Sequence, residues 1–556
     1  MHAFASLQFC AKAAILVASL GIFAWPATTH AASKTVCAIT VNSTDEREVF
    51  RRYLPPEGFR VVELVENGRP DWLDSACRAG VRCDVLVISG HFDGGVEFYS
   101  DRLDMRESLP MEAMERVACS ESCPGLFSHL KEVYLFGCNT LNAEGTTAMA
   151  EEIERSLVRA GRSRVDAARV TALLNEQTAR SNRDRMRLLF KDVPVIYGFS
   201  AKAPLGHVAG PALERLMQTD ARREVGSGRV NADLLRRFAP VSMTVASGVT
   251  DSDPQAGYRR DVCAFADERL PTANRAAFVH SVLEREMAHV RVLLGPIEKF
   301  ALALDPPDKR PPALALALEP IATDGPARDR FLAYARDTDE PGVGARMIAV
   351  AHALGWLSAE EQRAEWVRLL ARRLPVRVDA TDVDLACRLN RDGALDAERH
   401  RLDAGAGGSI GHAALLACLG DNKARQAVLG ALTAEHGGDG EIARVLVHHR
   451  PLTDAAEFRA VAAGIGRLTS PEDQARAIDT LAKHPPPEHG VVAALAALFP
   501  YAKSLVVQRA IAGVLIRSDI AGIDRAKLAQ SLRDHRMESP DGRDVIDVLI
   551  RRLATL

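Results

Sequence analysis

Two apolar segments of the chain each end in a glycine followed by a residue that can act in catalysis. The segment "DVLVISGHF" brings His91 directly after Gly90. The segment "EVYLFGCNT" brings Cys138 directly after Gly137. Nucleophilic catalysis by cysteine needs an imidazole beside an exposed sulfur, because the imidazole favours the thiolate or protonates the leaving group. The pattern therefore indicates a cysteine nucleophile assisted by a histidine.

The ends of two predicted strands decide whether these side chains can meet. Both segments are short, continuous apolar runs, which is typical of strands buried on both faces of a parallel sheet. In an open α/β sheet, ligands bind outside the carboxyl ends of the strands. If the two strands are neighbours, His91 and Cys138 project from the same edge at a similar height. The glycines let the backbone turn sharply there and leave room for a substrate chain.

Backbone N–H groups beside the two residues supply a further part of such a site. Those of the turn after His91, together with that of Cys138, are expected to hold the oxyanion of a tetrahedral intermediate. Asp93 is placed to orient His91, although a surface carboxylate in a "DGG" turn is the commoner role. The residues expected to support the oxyanion or the pocket are Gly90, Phe92, Asp93, Gly94, Gly137 and Asn139.

Short β-rich runs alternate with helical patterns from about Thr35 to Ser200. One helix is predicted to run without a break through "AARVTALLNEQTARSNRDRMRLLF", and a hairpin is predicted at "GGVEFYSDRLD". Continuous apolar strands separated by helices predict a mostly parallel sheet covered on both faces, which is an α/β sandwich. The predicted strands are "TVCAITV", "FRVVELV", "DVLVIS", "EVYLF" and "VPVIYGF".

The composition of the chain changes beyond about Val262, where strand signals nearly vanish and Ala, Leu, Arg and Glu dominate. A long helix is predicted through "AAFVHSVLEREMAHVRVLLGPIEKFALAL", interrupted near Pro296 and followed by the linker "DPPDKRPP". Capping residues at Ser358, Asp454 and Ser470 predict the starts of later helices.

A stripe of apolar residues is predicted behind the first of these caps. Trp366, Leu370 and Leu374 recur every four residues, so one face of that helix is expected to be buried. Helices of this length joined by short turns resemble HEAT-like repeats, which stack and offer a concave surface to a protein partner. A compact helical bundle is the alternative.

The order and spacing of His91 and Cys138 resemble those of the caspase-like cysteine peptidases, which include caspases, metacaspases, clostripain, gingipains, separase and CHAT domains. The resemblance covers about residues 35–200. The "GCNT" segment is close to CHAT-like and clostripain-like endings, whereas the caspase pattern "QACRG" is absent. The resemblance implies a caspase-like fold that hydrolyses peptide bonds of a protein or peptide substrate without a cofactor or metal. It assigns His91 as general acid and base and Cys138 as nucleophile.

Two positions depart from the pattern of that family. Phe92 follows the histidine where the family usually has glycine, and a bulky side chain there is expected to reshape or occlude the cleft. Phe136 stands where metacaspase-like members carry an acid that selects basic residues, so cleavage after Arg or Lys is not supported. Cleavage after Asp has no clear support either. The alternative function is a catalytically inactive caspase-like scaffold that binds other proteins of the cell envelope.

The N-terminus predicts export. Lys12 precedes the apolar stretch "AAILVASLGIFAW", which is too short to span a bilayer and is followed by Pro26 and small residues. We expect a signal peptide over residues 1–31, cleaved after Ala31 or Ala32, with a short membrane anchor as the alternative. The rest of the chain is then periplasmic or secreted and has no integral membrane segment.

Export changes the expected role of the cysteines. One of the ten lies in the predicted signal peptide, so an odd number remains and at least one thiol stays unpaired in an oxidising compartment. Cys119 and Cys123 in "CSESC" are predicted to form a local disulfide, and the partner of Cys83 is open between Cys37 and Cys77. The spacing of "CSESC" fits no strong zinc template.

The length and net charge of the chain limit its domain organisation and its partners. A chain of 556 residues is too long for one core, and the predicted parts are a caspase-like domain over 35–255, a connector and Pro-rich linker over 262–312, and a helical repeat region over 313–556. The net charge of −3 and the lack of a dense basic run give no reason to expect a nucleic-acid partner.

Overall fold

The structure is a computed structural model that describes most of the chain between residues 33 and 555. The predicted signal peptide lies outside the described residues, as do Asp93 and Gly94. The described residues are 33–65, 73–92, 95–100, 107–120, 123, 125–145, 147–267, 270–305, 309–375, 378–398, 400–403, 408–433, 437–452, 454–482, 489–520, 522–537 and 544–555.

The first of two compact units contains the described residues up to 143 together with residues 181–250, and a six-stranded sheet forms its centre. The strands are β1 (Lys34–Thr40), β2 (Phe59–Val65), β3 (Val85–Ser89), β4 (Glu97–Tyr99), β5 (Ser108–Pro110), β6 (Glu132–Phe136), β7 (Val195–Phe199) and β8 (Met243–Ala246). In the order β2-β1-β3-β6-β7-β8, all neighbours are parallel except β7 and β8. The predicted class, α/β with a mostly parallel sheet, is confirmed. Strands β4 and β5 pair separately and antiparallel; β4 lies in the segment predicted as a hairpin, whereas its partner β5 lies beyond the end of that segment.

Helices lie between most of these strands. Helices α4 and α5 group with the second unit, and the others named here belong to the first. The helices are α1 (Asp45–Tyr53), α2 (Asp74–Arg78), α3 (Met111–Cys119), α4 (Thr147–Arg159), α5 (Arg164–Gln177), α6 (Asn182–Leu189), α7 (Gly206–Met217) and α8 (Ala232–Phe238).

Alternation along the buried strands gives the sheet two apolar faces. Val36 and Val85 on one face belong to a cluster that includes residues of α1, α7 and α8. Their neighbours Cys37 and Leu86 belong to a second cluster that includes residues of α2, α3 and α6. Because successive side chains of a strand point to opposite faces, continuous apolar runs require cover on both sides. The first unit is therefore a three-layer sandwich.

The single long helix predicted before β7 is in fact two helices. The side chain of Ser181 accepts a hydrogen bond from the N–H of Asp184, and the carboxylate of Asp184 accepts one from the N–H of Ser181. This capping box starts a new helix at Asn182, because it satisfies N–H groups that a continuous helix would bond internally. The prediction of one helix was therefore wrong.

The second unit contains residues 144–180 and the described residues from 251 onward, and it is helical. No helix in its described residues, or elsewhere in the described chain, is long and apolar enough to cross a bilayer. The remaining helices are α9 (Ala256–Ala266), α10 (Thr272–Leu283), α11 (Met287–Val292), α12 (Leu294–Leu302), α13 (Pro312–Thr323), α14 (Gly325–Asp337), α15 (Pro341–Ala353), α16 (Ala359–Ala371), α17 (Ala380–Leu389), α18 (His400–Asp403), α19 (Ile410–Cys418), α20 (Asn422–Ala431), α21 (Gly437–His449), α22 (Ala455–Ile465), α23 (Pro471–Ala482), α24 (His489–Leu498), α25 (Leu505–Arg517), α26 (Arg525–His535) and α27 (Val545–Thr555).

The long helix predicted after Val262 breaks at two places, one of which lies near the interruption expected at Pro296. It divides into α10, α11 and α12, with breaks after Leu283 and at Leu293. Pro296 lies in the first turn of α12, where its missing N–H has no helical acceptor, so it does not interrupt the helix. The interruption expected near Pro296 is present at Leu293, shortly before the proline, whereas the break after Leu283 was not predicted.

The predicted helix starts of the second unit are confirmed. Ser358 forms a capping box with Glu361, and the side chains of Asp454 and Ser470 each accept a backbone N–H bond. In the helix that follows Ser358, Leu370 is fully buried in the core. Trp366 and Leu374 pack against the same core, which confirms the apolar stripe.

Disulfide bonds link segments that are distant in sequence. Cys83 pairs with Cys37, and Cys123 pairs with Cys77, so the predicted local bond between Cys119 and Cys123 was wrong. The neighbouring strands β1 and β3 explain the first pair, because they bring distant chain segments side by side. A third bond joins Cys387 to Cys418 in the second unit. Cys119 and Cys263 each take part in a disulfide bond as well. Cys138 is the free cysteine of the described residues.

Candidate active site

The two strands that carry the candidate dyad are neighbours. Strands β3 and β6 pair in parallel, with Ser89 opposite Phe136 at their carboxyl ends. His91 and Cys138 each follow two residues later, and both line the same cleft. The geometry thus brings together the two side chains that the sequence singled out.

The glycines before the two residues permit a very close approach of the strand ends. A β-carbon on Gly137 would lie 2.9 Å from the carbonyl oxygen of Gly90 and 2.9 Å from the β-carbon of Phe92. A β-carbon on Gly90 would lie 3.0 Å from that of Val41. Because these contacts involve backbone or β-carbon atoms that cannot rotate away, the tight edge requires glycine at both positions.

Hydrogen bonds of the backbone fix the position of His91. Its N–H donates to the carbonyl of Tyr99 and its carbonyl accepts from the N–H of Tyr99, both at 2.9 Å. The imidazole also lies beside the Tyr99 ring, with ring centroids 5.4 Å apart. Strand β4 therefore holds the histidine at the rim of the cleft.

The sulfur of Cys138 is half-buried and accepts a hydrogen bond from the N–H of Ala203, over 3.3 Å. The turn after it is anchored through Asn139, which has a left-handed backbone with φ of 58°. The Asn139 N–H donates to the carbonyl of Ala201 over 2.7 Å, and its carbonyl accepts from the side chain of Asn182 over 3.0 Å. Asn139 thus supports the site through its backbone.

The side chain of Phe92 does not enter the cleft. It is fully buried in the core of the first unit, with its ring centroid 4.7 Å from that of Phe98. The alternation of a strand explains this position, because His91 faces the cleft and the next side chain points to the opposite side. The expected occlusion of the cleft by Phe92 is therefore corrected. Asp93 and Gly94, which the sequence placed beside it, lie outside the described residues.

The cleft lies at the carboxyl edge of the sheet and has a volume of about 40 Å³. Strand β2 lies on one side of β1, whereas β3 and the later strands lie on the other side. The connections that leave β1 and its neighbour β3 therefore run in opposite directions, and such a topological switch point opens a crevice at the carboxyl ends of the strands. The cleft is lined by Asn42, Ser43, Glu46, Ser89, Gly90, His91, Phe136, Gly137, Cys138, Ala203, Pro204, Leu205 and Gly206.

One lining residue that the sequence did not single out is Glu46 in α1. Its side chain is only 2% exposed, and burial raises its pKa from 4.5 to about 7, although the hydroxyls of Ser89 and Ser43 oppose this shift. Within the described residues, its Oε2 atom has no hydrogen-bond partner. The signal in the sequence was its spacing, since Glu46, Val49 and Phe50 form the buried face of α1.

The buried carboxyl of Glu46 makes stability depend on pH. Between pH 4.5 and about 7 the folded state keeps a proton that the unfolded state releases, so stability falls as pH rises through this interval. We expect the loss to reach about 3 kcal/mol above pH 7. Urea titrations across this range should show that Glu46→Gln, which cannot ionise, lacks this component. Parallel stability curves for the two proteins would contradict the assignment.

Comparison with known proteins finds no matching family model, no matching curated protein and no matching solved structure. The cleft itself, with its imidazole, its free thiol and its buried carboxyl, is therefore the basis for a functional conclusion.

Proposed function

We propose that the protein is an exported, caspase-like cysteine endopeptidase, with Cys138 as nucleophile and His91 as general acid and base. One observation carries the proposal. A single cleft at the carboxyl edge of neighbouring strands contains an imidazole and a free thiol, whereas every other described cysteine is disulfide-bonded. In a protein whose other cysteines form disulfides, the reactivity of an unpaired cysteine is a more common reason for its presence than its packing.

The proposed reaction uses both side chains in two steps. The sulfur of Cys138 attacks the carbonyl carbon of a peptide bond, and the resulting tetrahedral intermediate collapses as His91 protonates the leaving amine. Water then attacks the thioester with His91 as base, which releases the carboxylic acid and restores the thiol. The N–H of Ala203 stabilises negative charge on the sulfur before attack.

The size of the cleft supports a preference for small side chains at the residue before the cleaved bond. The cleft is open to solvent and has an accessible volume of only about 40 Å³, which favours a short side chain over one as long as arginine. This preference agrees with Phe136, which occupies the position of the acid that selects basic residues in metacaspase-like relatives. Alanine is therefore the expected residue.

Labelling with peptide probes tests the proposal. The mature protein, with and without limited proteolysis as a test for activation by processing, is treated with acyloxymethyl ketone peptides that end in Ala, Asp or Lys. We expect the Ala probe to label Cys138 fastest, labelling to disappear in Cys138→Ala, and labelling to slow in His91→Ala. If no probe labels either preparation, the endopeptidase is excluded.

The second candidate is a catalytically inactive scaffold that binds other envelope proteins. The small volume of the cleft and the hydrogen bond that already engages the sulfur of Cys138 favour it. It predicts that Cys138 reacts with peptide probes no faster than with a small alkylating agent of equal intrinsic reactivity.

A further inference from the structure

A groove of about 670 Å³ crosses three helices of the second unit. It lies within the size range of sites that bind short peptides and small molecules. Its apolar lining includes Val445 and Pro451. Its charged and titratable lining consists of Asp384 from α17, Glu441, Arg444 and His448 from α21, and Arg476 and Asp479 from α23.

The guanidinium of Arg444 is half-buried in this groove without an opposite charge to bind it. Burial lowers the pKa of Arg444 and the positive charge of Arg476 lowers it further, while the negative charges of Glu441 and Asp473 oppose this shift without forming an ion pair with Arg444. Among the described residues, no hydrogen bond or ion pair reaches Arg444, whereas Arg476 binds Asp473 within its own helix at 2.7 Å. The two arginines therefore repel each other across the groove, and a bound anion would relieve that repulsion.

Two other partly buried arginines of this unit are each paired with a carboxylate. Arg425 binds the carboxylate of Glu457 through two nitrogens, at 2.8 and 3.0 Å. Arg373 binds Asp382 in the same manner, at 2.9 and 3.3 Å. Arg444 differs from these two arginines, because no carboxylate among the described residues forms an ion pair with it.

The acids that line the groove do not fill this role. The carboxylate of Asp384 already accepts Arg388 at 2.9 Å and His449 at 2.8 Å. Glu441 and Asp479 are exposed and lie on the helices of the two arginines. The groove therefore presents a pair of cations together with two exposed anions, and it is complementary to a ligand that carries both signs of charge.

We propose that the groove binds a peptide segment of a partner protein that places one carboxylate between Arg444 and Arg476 and basic side chains against Glu441 and Asp479. A guanidinium binds a carboxylate with two parallel hydrogen bonds, so the expected ligand of Arg444 is a Glu or Asp side chain of the partner. A polyanion such as a nucleic acid fits less well, because Glu441 and Asp479 repel its phosphates. This surface goes beyond the proposed peptidase and does not depend on it.

Binding of designed peptides tests the proposal in the full mature chain carrying Cys138→Ala, so that cleavage plays no part. The probe is a capped fluorescent peptide, Gly-Lys-Gly-Glu-Gly-Lys-Gly, compared by fluorescence polarisation with the same peptide carrying Gln in place of Glu. We expect the Glu peptide to bind about 10-fold more tightly, a difference typical of one charge-assisted contact. Arg444→Gln should abolish the difference, and Arg533→Gln, which removes an exposed charge from α26, should preserve it.

A second variant tests the contact with the basic side chains of the peptide separately from the contact with its central carboxylate. Glu441→Gln should reduce the preference for Lys over Gln at the flanking positions and leave the preference for the central Glu intact. Equal binding of the Glu and Gln peptides, or an unchanged difference in Arg444→Gln, overturns the proposal. So does tighter binding of a fluorescent single-stranded oligonucleotide than of the Glu peptide, which would assign the groove to polyanions.

Discussion

In the proposed peptidase, replacement of His91 by alanine is expected to slow peptide hydrolysis by about 100- to 10,000-fold, the usual contribution of a positioned acid–base group. The reason is that no other imidazole lines the cleft among the described residues, so the leaving amine loses its proton donor. The measurement is kcat/KM with fluorogenic peptides that carry alanine before the cleaved bond. The thiol of Cys138 should remain present and should still be alkylated by iodoacetamide.

Two controls make this result specific to the dyad. His129→Ala removes an exposed imidazole of the same unit that contacts Arg82 outside the cleft, and it should leave kcat/KM within about twofold of the wild type. Cys138→Ala should eliminate hydrolysis altogether, because the nucleophile itself is lost. Hydrolysis that survives in Cys138→Ala, or equal losses in the His91 and His129 variants, would show that the cleft is not the catalytic site.

Replacement of Glu152 by alanine is expected to destabilise the second unit by about 3–5 kcal/mol. The carboxylate of Glu152 is fully buried in α4 and accepts Arg291 at 2.9 Å and Thr338 at 2.7 Å. Burial and the charge of Glu152 raise the pKa of Tyr334 well above its usual range. Alanine would leave the nearly buried guanidinium of Arg291 without its counter-charge, and this unpaired charge accounts for most of the cost.

Urea unfolding of the purified protein measures this loss, and the preceding residue supplies the control. Glu151 is exposed and forms an ion pair with Arg155 on the surface of the same helix, at 3.6 Å. Glu151→Ala should therefore cost about 0.5 kcal/mol or less. If Glu151→Ala and Glu152→Ala change the free energy of unfolding equally, the buried network does not stabilise the unit in the way described.

The sheet was largely predictable from sequence because its strands are continuous apolar runs, a signal that needs no knowledge of tertiary contacts. Strand β8 was missed, since Met243–Ala246 is short and only partly buried, and it is an antiparallel edge strand. The break before Asn182 was missed for a different reason. A capping box of Ser181 and Asp184 competes locally with a helical pattern that otherwise continues on both sides.

The candidate site was predictable where two positions in the sequence carried the same signal. His91 and Cys138 each follow a strand and a glycine, and the pairing of β3 with β6 makes them neighbours. Glu46 was missed because an acid in the first turn of a helix is ordinarily a solvated residue that favours the helix dipole. The partners of Cys83 and Cys123 could not be predicted, because they depend on which distant segments pack together and the spacing of cysteines along the sequence does not show this.

The contact between Gly90 and Gly137 has a consequence for natural variation. A side chain on Gly137 would meet Gly90 and Phe92 and so push the imidazole away from the sulfur, whereas a side chain on Gly90 would meet Val41 and displace the end of β3 from that of β1. A substitution at one cannot be compensated at the other, because the glycine that remains is already the smallest residue. Homologous chains that keep the cleft should therefore show no covariation between these positions, only glycine at both, whereas chains that have lost the cleft are free to vary there.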